Sequence, residues 1–294
     1  MSKLDPVLLF RKLCEDIPAD LRRDVFVTGS LAAAYAFKVR LVGQGVNTKD
    51  ADLLVHPAGN VGSAQQMAER LINIGWRPTN SCKPFADLPA NYNELRAIRL
   101  MPPTSNNYFI EFLNMPVQEQ QSPKLWIPVR LNDGWYGLPS FKFMGLLEWF
   151  RRCSDEGVEY AAPEMMALSN LLSHSTITDD LIESGDFRGL RRCAKDLGRV
   201  LALAYLSGRG ETETWFDQWR VGLARSFPRT WREYASRAGA GLREMLTDDA
   251  VMEQARKTTE SGLLSSMGID IPALRGVGER LLADAVDSLE RSAG

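Results

Sequence analysis

Val25-Phe26-Val27-Thr28-Gly29-Ser30-Leu31-Ala32-Ala33-Ala34-Tyr35-Ala36-Phe37 is the stretch that decides the fold class. Its first four residues are β-branched or aromatic and predict a short strand, and the series from Leu31 is made of strong helix formers. Gly29-Ser30 between them predicts a tight turn. A strand that passes through a glycine directly into a helix is a unit of a sheet with helices packed against it. After a glycine-containing loop at 43–49, Asp50-Ala51-Asp52-Leu53-Leu54-Val55 alternates with period two. That alternation puts both aspartates on one strand face and Ala51, Leu53 and Val55 on the other. Pro57 and Gly59 close the strand.

Working outward, Val7, Leu8, Leu9, Phe10, Leu13 and Ile17 carry helical spacing over 6–17, ending before Pro18. A second amphipathic helix is predicted over 61–74, stopped at Gly75, with an irregular stretch from Trp76. Leu95–Met101 and Tyr108–Leu113 are strand-like runs separated by the turn-rich spacer 102–107, which predicts an antiparallel hairpin with Glu111 in its second strand. Asp133-Gly134 marks the turn of another hairpin over 126–138. From about residue 140 the strand signals stop, and helical segments are expected near 141–152, 163–173, 187–207, 212–226, 229–245, 248–264 and 272–291. Pro163 and Pro228 suit first helical turns. The expectation is an α+β domain over 1–139 and an all-helical domain over 140–294.

A chain of 294 residues with 45% hydrophobic residues builds a proper core and is not a disordered tail. Its net charge of −2 gives no global attraction to polyanions, so any such ligand must meet a local patch. Cys14, Cys82, Cys153 and Cys193 are scattered, with no Cys-x-x-Cys pair, and read as reduced thiols. With no signal-like start and no apolar run of membrane-spanning length, a soluble cytoplasmic protein without a membrane partner is expected.

Phosphoryl and nucleotidyl transfer need donors aimed at phosphate oxygens and carboxylates that hold a divalent cation. Gly29 lets backbone approach a phosphate, Ser30 adds a hydroxyl, and the following helix points its N-terminal N–H groups at the same place. Asp50 and Asp52 project from one strand face, and Glu111 joins them if its strand pairs alongside. With 19 aspartates in the chain, an Asp-x-Asp triplet arises about once by chance. Context lifts this one: it lies in an apolar strand, after a strand–Gly-Ser–helix unit and before a third acid flanked by Phe109, Ile110, Phe112 and Leu113. Carboxylates in apolar strands are costly unless a charge meets them. The bland alternative is an exposed strand face.

These residues resemble the nucleotidyltransferase superfamily of the DNA polymerase β type, in Val27-Thr28-Gly29-Ser30, Thr48-Lys49-Asp50-Ala51-Asp52 and Phe109-Ile110-Glu111-Phe112. Within it, the span from Ser30 to Leu54 is most similar to the AbiEii-type abortive-infection nucleotidyltransferase toxins of prokaryotes. Pro163-Glu164-Met165-Met166-Ala167-Leu168 and Arg192-Cys193-Ala194-Lys195-Asp196-Leu197 extend the likeness to about residue 200. The resemblance implies a mixed sheet flanked by helices, then a helical domain, with nucleotide held between them. It implies transfer of a nucleoside monophosphate from an NTP, with Mg²⁺ (or Mn²⁺), onto a hydroxyl of RNA such as tRNA, and an antitoxin protein as partner. Asp50, Asp52 and Glu111 would be the catalytic metal ligands, Glu111 also activating the hydroxyl. Gly29, Ser30, Thr48 and Lys49 would meet the nucleotide. Ser169-Asn170 stand where the family carries a helical lysine, and Lys142 or Lys195 is expected to supply that charge.

Two further classes compete: a transferase acting on a small hydroxyl compound such as an aminoglycoside, and a catalytically silent nucleotide-binding regulator. An acidic pocket beside the acids favours the first over RNA, an open basic channel the reverse. The segment 188–237 holds eleven Lys/Arg against five Asp/Glu, either an RNA grip or solvated helix faces. Trp215, Phe216, Trp219 and Trp231 have the spacing of interhelical packing rather than base stacking. His56 and His174 are too few for a His-based metal site, and Ser173-His174-Ser175 lacks a nucleophile elbow. Gly43-Gln44-Gly45 lacks the third glycine of a dinucleotide fingerprint.

Overall fold

The computed structural model describes residues 4–41, 48, 50–105, 107–174, 181–182, 188–265 and 267–294. Lys49, the glycine loop 43–45 and Ser175 lie outside them. The expected entry helix is Pro6–Asp16 (α1), capped by Asp5, whose carboxylate accepts from the Val7 and Leu8 N–H groups. Val25–Thr28 (β1) turns at Gly29 into Gly29–Ala36 (α2), and Asp50–Val55 (β2) leads to Val61–Asn73 (α3). Arg77–Pro78 (β3), Arg99–Met101 (β4) and Phe109–Asn114 (β5) follow, with the predicted hairpin formed by β4 and β5. Lys124–Leu131 (β6) and Gly134–Phe141 (β7) form a separate two-stranded sheet, and β7 is tied back to the preceding chain by single bridges from Trp135 to Phe85 and from Gly137 to Ala97.

The sheet does not end near 140. Arg152–Cys153 (β8) and Glu159–Tyr160 (β9) complete a seven-stranded mixed sheet of order β3-β4-β5-β2-β1-β9-β8. β1 pairs with β2 on one side, and its other edge binds β9: Val27 stands opposite Tyr160, and the Ala161 N–H donates to the Val27 carbonyl at 2.9 Å. Two-residue strands are too short for periodicity to register, which is why the sequence hides them. The helix expected at 141–152 is instead a 3-10 segment, Lys142–Glu148.

Thereafter the chain is helical: Pro163–His174 (α4), Arg192–Ser207 (α5), Arg209–Thr212 (α6), Trp215–Ser226 (α7), Trp231–Ala235 (α8), Ala240–Thr247 (α9), Asp249–Ser261 (α10), Ile271–Leu281 (α11) and Asp287–Arg291 (α12). α11 runs into α12 through a π turn at Leu282–Val286. The single helix expected at 229–245 divides at Gly239, whose N–H donates to Glu290 Oε1 at 2.9 Å and where a Cβ would meet Val286 and Arg243. The fold is thus α+β, a mixed sheet with helices followed by an all-helical region, and one buried apolar cluster runs from Leu9 to Leu289 through both. Among the described residues no helix is long and apolar enough to cross a membrane.

Trp219 sits at the centre of the helical half, fully buried, with its indole N–H donating to the Glu164 carbonyl at 2.8 Å. Trp219→Ala should cost about 3–5 kcal/mol. Thermal denaturation should show a fall in Tm of roughly 10 °C.

Candidate active site

β2 and β5 have the same burial pattern, their first four residues alternating between partly exposed positions, Asp50 and Asp52 in β2 and Phe109 and Glu111 in β5, and buried apolar ones. Ala51, Leu53, Ile110 and Phe112 are fully buried on the core face, so the acids must take the opposite face. The strands are parallel neighbours with Asp52 directly opposite Glu111 and Asp50 opposite Phe109. On the far side of Glu111, the antiparallel pair with β4 sets Arg99 opposite it, and on the far side of Asp52, β1 sets Thr28. One row across the sheet therefore reads Arg99, Glu111, Asp52, Thr28: a cation, two acids and a hydroxyl.

After Thr28 the chain turns at Gly29, which has φ +70°, and a Cβ there would collide with the Asp52 carboxylate. Glycine is required twice over, for the left-handed backbone and for the close approach. α2 starts at this turn beside Asp52. The hydroxyl of Thr48 donates to Asp50 Oδ1 at 2.6 Å and fixes that carboxylate.

Clustered carboxylates repel one another where water is scarce. Burial pushes the Asp52 carboxyl well up from its ordinary range, and the charges of Asp50 and Glu111 push it further. Burial also raises Glu111, opposed chiefly by Arg99, whose Nε donates to Glu111 Oε2 at 2.6 Å. Among the described residues no three His, Cys, Asp or Glu groups are gathered closely enough to hold a metal ion. One ion pair and one hydrogen bond hold the acids apart: Glu111 leans towards Arg99, and Asp50 is turned to Thr48. The donor chemistry nevertheless suits Mg²⁺, a hard cation that takes carboxylate oxygens.

Cations surround the acids. Lys195 and Arg199, one turn apart on α5, act on Asp52, and Lys124 acts on Glu111. Arg192, at the start of α5, lies near enough to Lys124 to oppose its charge. Burial, then Arg199, pushes the Lys195 ammonium down to about 8; Arg192 acts in the same direction, and Asp196 and Asp50 oppose. Of the expected basic segment, then, only the α5 end faces the acids. Arg209 and Arg237 pair with Glu213 and Glu233, Arg229 with Glu119, and Arg225 lies over the Trp149 ring. Trp215 and Trp219 are buried against each other, as packing requires.

A cavity of about 110 Å³ adjoins the row, walled by Thr28, Gly29, Ser30 and Asp52 from the sheet side. Ser169 and Asn170 of α4, Arg199 and Leu203 of α5, and Met144 and Leu147 of the 3-10 segment close it. It is smaller than the roughly 300 Å³ of an ordinary ligand pocket, so it admits one moiety of a nucleotide rather than the whole. Ser30 reaches this cavity as expected; Lys142 does not. Three residues per turn put Lys142, Gly145 and Glu148 on one side of the 3-10 segment, facing a second cavity with Trp149 and Phe227. Its ammonium lies 5.0 Å from the Tyr234 ring. Lys195 is the expected cation that reaches the acids, Arg192 and Arg199 come from the basic segment expected at 188–237, and Arg99 and Lys124 are additions that sequence reading missed. Arg199 was accessible in principle, four residues after Lys195 on one helix face.

No protein-family model, curated protein or solved structure matches this chain.

Two substitutions separate the role of the row from that of the core. Gly29→Ala should destabilise by about 1–3 kcal/mol through backbone strain and the Asp52 collision. Asp52→Asn in metal-free protein should do the opposite, raising Tm by roughly 2–4 °C as buried like-charge repulsion is relieved. Calorimetry on both variants checks the pair, and a lower Tm for Asp52→Asn would overturn the account of its burial.

Proposed function

We propose that this chain is a metal-dependent nucleotidyltransferase of the DNA polymerase β type, similar to the AbiEii-type toxins, acting on RNA. The observation that carries the reading is the row itself, with Asp52 and Glu111 side by side, Asp50 two residues earlier on the same face of β2, and a glycine turn into a helix against Asp52. Asp50 and Asp52 would hold Mg²⁺ (or Mn²⁺), with Glu111 as third acid; when bound, the ion neutralises charge on the triphosphate and the leaving pyrophosphate. The Gly29 turn, Ser30 and the first N–H groups of α2 take phosphate oxygens. Lys195 and Arg199 offset the remaining negative charge.

In the reaction, the acceptor oxygen attacks the α-phosphorus, forming a new P–O bond while the bond to the bridging oxygen breaks and pyrophosphate leaves. Glu111 takes the hydroxyl proton. One oxygen of that carboxylate is held by Arg99 and its Oε1 has no hydrogen-bond partner among the described residues, so the carboxylate is oriented for this step.

Five cations stand around three acids at this site, in a chain whose net charge is −2. That surplus favours polyanionic substrates and disfavours an aminoglycoside, which is itself a polycation. The antitoxin partner follows from the resemblance and belongs to the same proposal, as does the cytoplasmic setting expected from the sequence.

Purified protein with Mg²⁺, each α-labelled ribonucleoside triphosphate in turn and total cellular RNA should label an RNA band. Asp52→Ala should reduce that label by about a hundredfold or more. No label with any triphosphate, while nucleotide still binds, would turn the reading to a silent regulator. Binding of a non-hydrolysable triphosphate should also weaken between pH 7 and 9, because the Lys195 ammonium, near 8, loses its attracting charge as pH rises. Lys195→Arg should flatten that dependence in a titration series.

A further inference from the structure

The row has a free end. Arg99 uses Nε for Glu111, and among the described residues its two terminal nitrogens donate no hydrogen bond. Its guanidinium lies over the Phe109 ring at 5.4 Å, which holds the plane in place, and the side chain keeps about a third of its surface exposed. A guanidinium carries five N–H donors in a rigid fork, and a phosphate takes two of them in parallel. Lys124 stands on the same rim, its ammonium 4.2 Å from the Trp126 ring, with Arg192 near it. Arg99 and Lys124 thus share one acid, Glu111, on the side of the row away from the Gly29 turn, with Arg192 beside Lys124.

We propose that Arg99 bridges Glu111 to the acceptor: Nε stays on the carboxylate while the terminal nitrogens take the last phosphate of an RNA strand, beside its reacting 3′ hydroxyl. The inference rests on the nucleotidyltransferase reading and adds the residue that selects the acceptor. The order along the row requires it. Triphosphate meets the Gly29 end, so the acceptor must approach Asp52 and Glu111 from the other. A single ribose separates a terminal hydroxyl from its own phosphate, and a single strand spacing of about 4.8 Å separates Glu111 from Arg99. A hydroxyl delivered to Glu111 therefore brings its phosphate to Arg99. An acceptor lacking that phosphate gains nothing from the fork, so Arg99 sets specificity while Glu111 serves the chemistry.

The test uses two short single-stranded oligoribonucleotides that differ only at the last linkage, a normal phosphate in one and an uncharged methylphosphonate in the other. Binding to the full chain is measured by fluorescence anisotropy without triphosphate. The wild-type protein should bind the uncharged strand about tenfold more weakly, the loss of one charge-assisted bidentate contact. In Arg99→Gln the two strands should bind within about twofold of each other. Should that variant fail to fold, Arg99→Gln with Glu111→Gln removes both charges of the buried pair and gives the same comparison. An equal penalty in wild type and variant, or none in wild type, overturns the assignment. Failure of the transfer assay with this penalty intact would sink the enzymatic reading and leave Arg99 as an RNA contact.

Discussion

One register fixes everything at this site: Thr28, Asp52, Glu111 and Arg99 stand on a single rung of four neighbouring strands. That rung is chosen by the core. Slipping β2 by one residue against its neighbours would bury both aspartates and expose Ala51, Leu53 and Val55, all fully buried here. The apolar residues that carry no chemistry therefore hold the acids in line. The same constraint makes Gly29 obligatory, since β1 must end opposite Asp52 and leave at once, with no room for a Cβ against the carboxylate.

Placing Asp52 between Asp50 and Glu111 has an electrostatic cost, visible in its raised proton affinity. Part of that cost is met from the helical half. Lys195 and Arg199 come from α5, so the compensation of Asp52 depends on α5 being held beside it. Ser169 and Asn170 of α4, with Leu203 of α5, roof the same cavity. The helical region is in this sense part of the site, and the continuous buried cluster linking it to the sheet keeps the cations in place. Removing the pairing charges alone would leave uncompensated carboxylates in a poorly hydrated place.

Local features were legible in the sequence. The β1–Gly29–α2 unit, the alternation in β2 and the hairpin carrying Glu111 each depend on neighbours along the chain, and each stands as expected. What stayed hidden depends on contacts between distant segments. The two-residue strands β8 and β9 exist because β1 had an unpaired edge, a property of the sheet and not of residues 152–160. Arg99 has no motif around it; it matters because β4 sets it opposite Glu111. Lys142 shows the converse failure, a residue with suitable charge turned away by the three-fold repeat of a 3-10 segment where a helix was expected.

The third acid being a glutamate fits this geometry. An aspartate in its place, one methylene shorter, would have to choose between Arg99 and the face shared with Asp52. Glu111 gives Oε2 to Arg99 at 2.6 Å and keeps Oε1 without a hydrogen-bond partner among the described residues. The guanidinium thus sets the carboxylate's orientation while offsetting part of its burial, the largest influence on its proton affinity. A carboxylate held at one oxygen and available at the other is pre-oriented, and pre-orientation lowers the reorganisation required when charge develops. Arg99 accordingly belongs to the row as much as the acids do: without it Glu111 would be a buried charge with less to direct it.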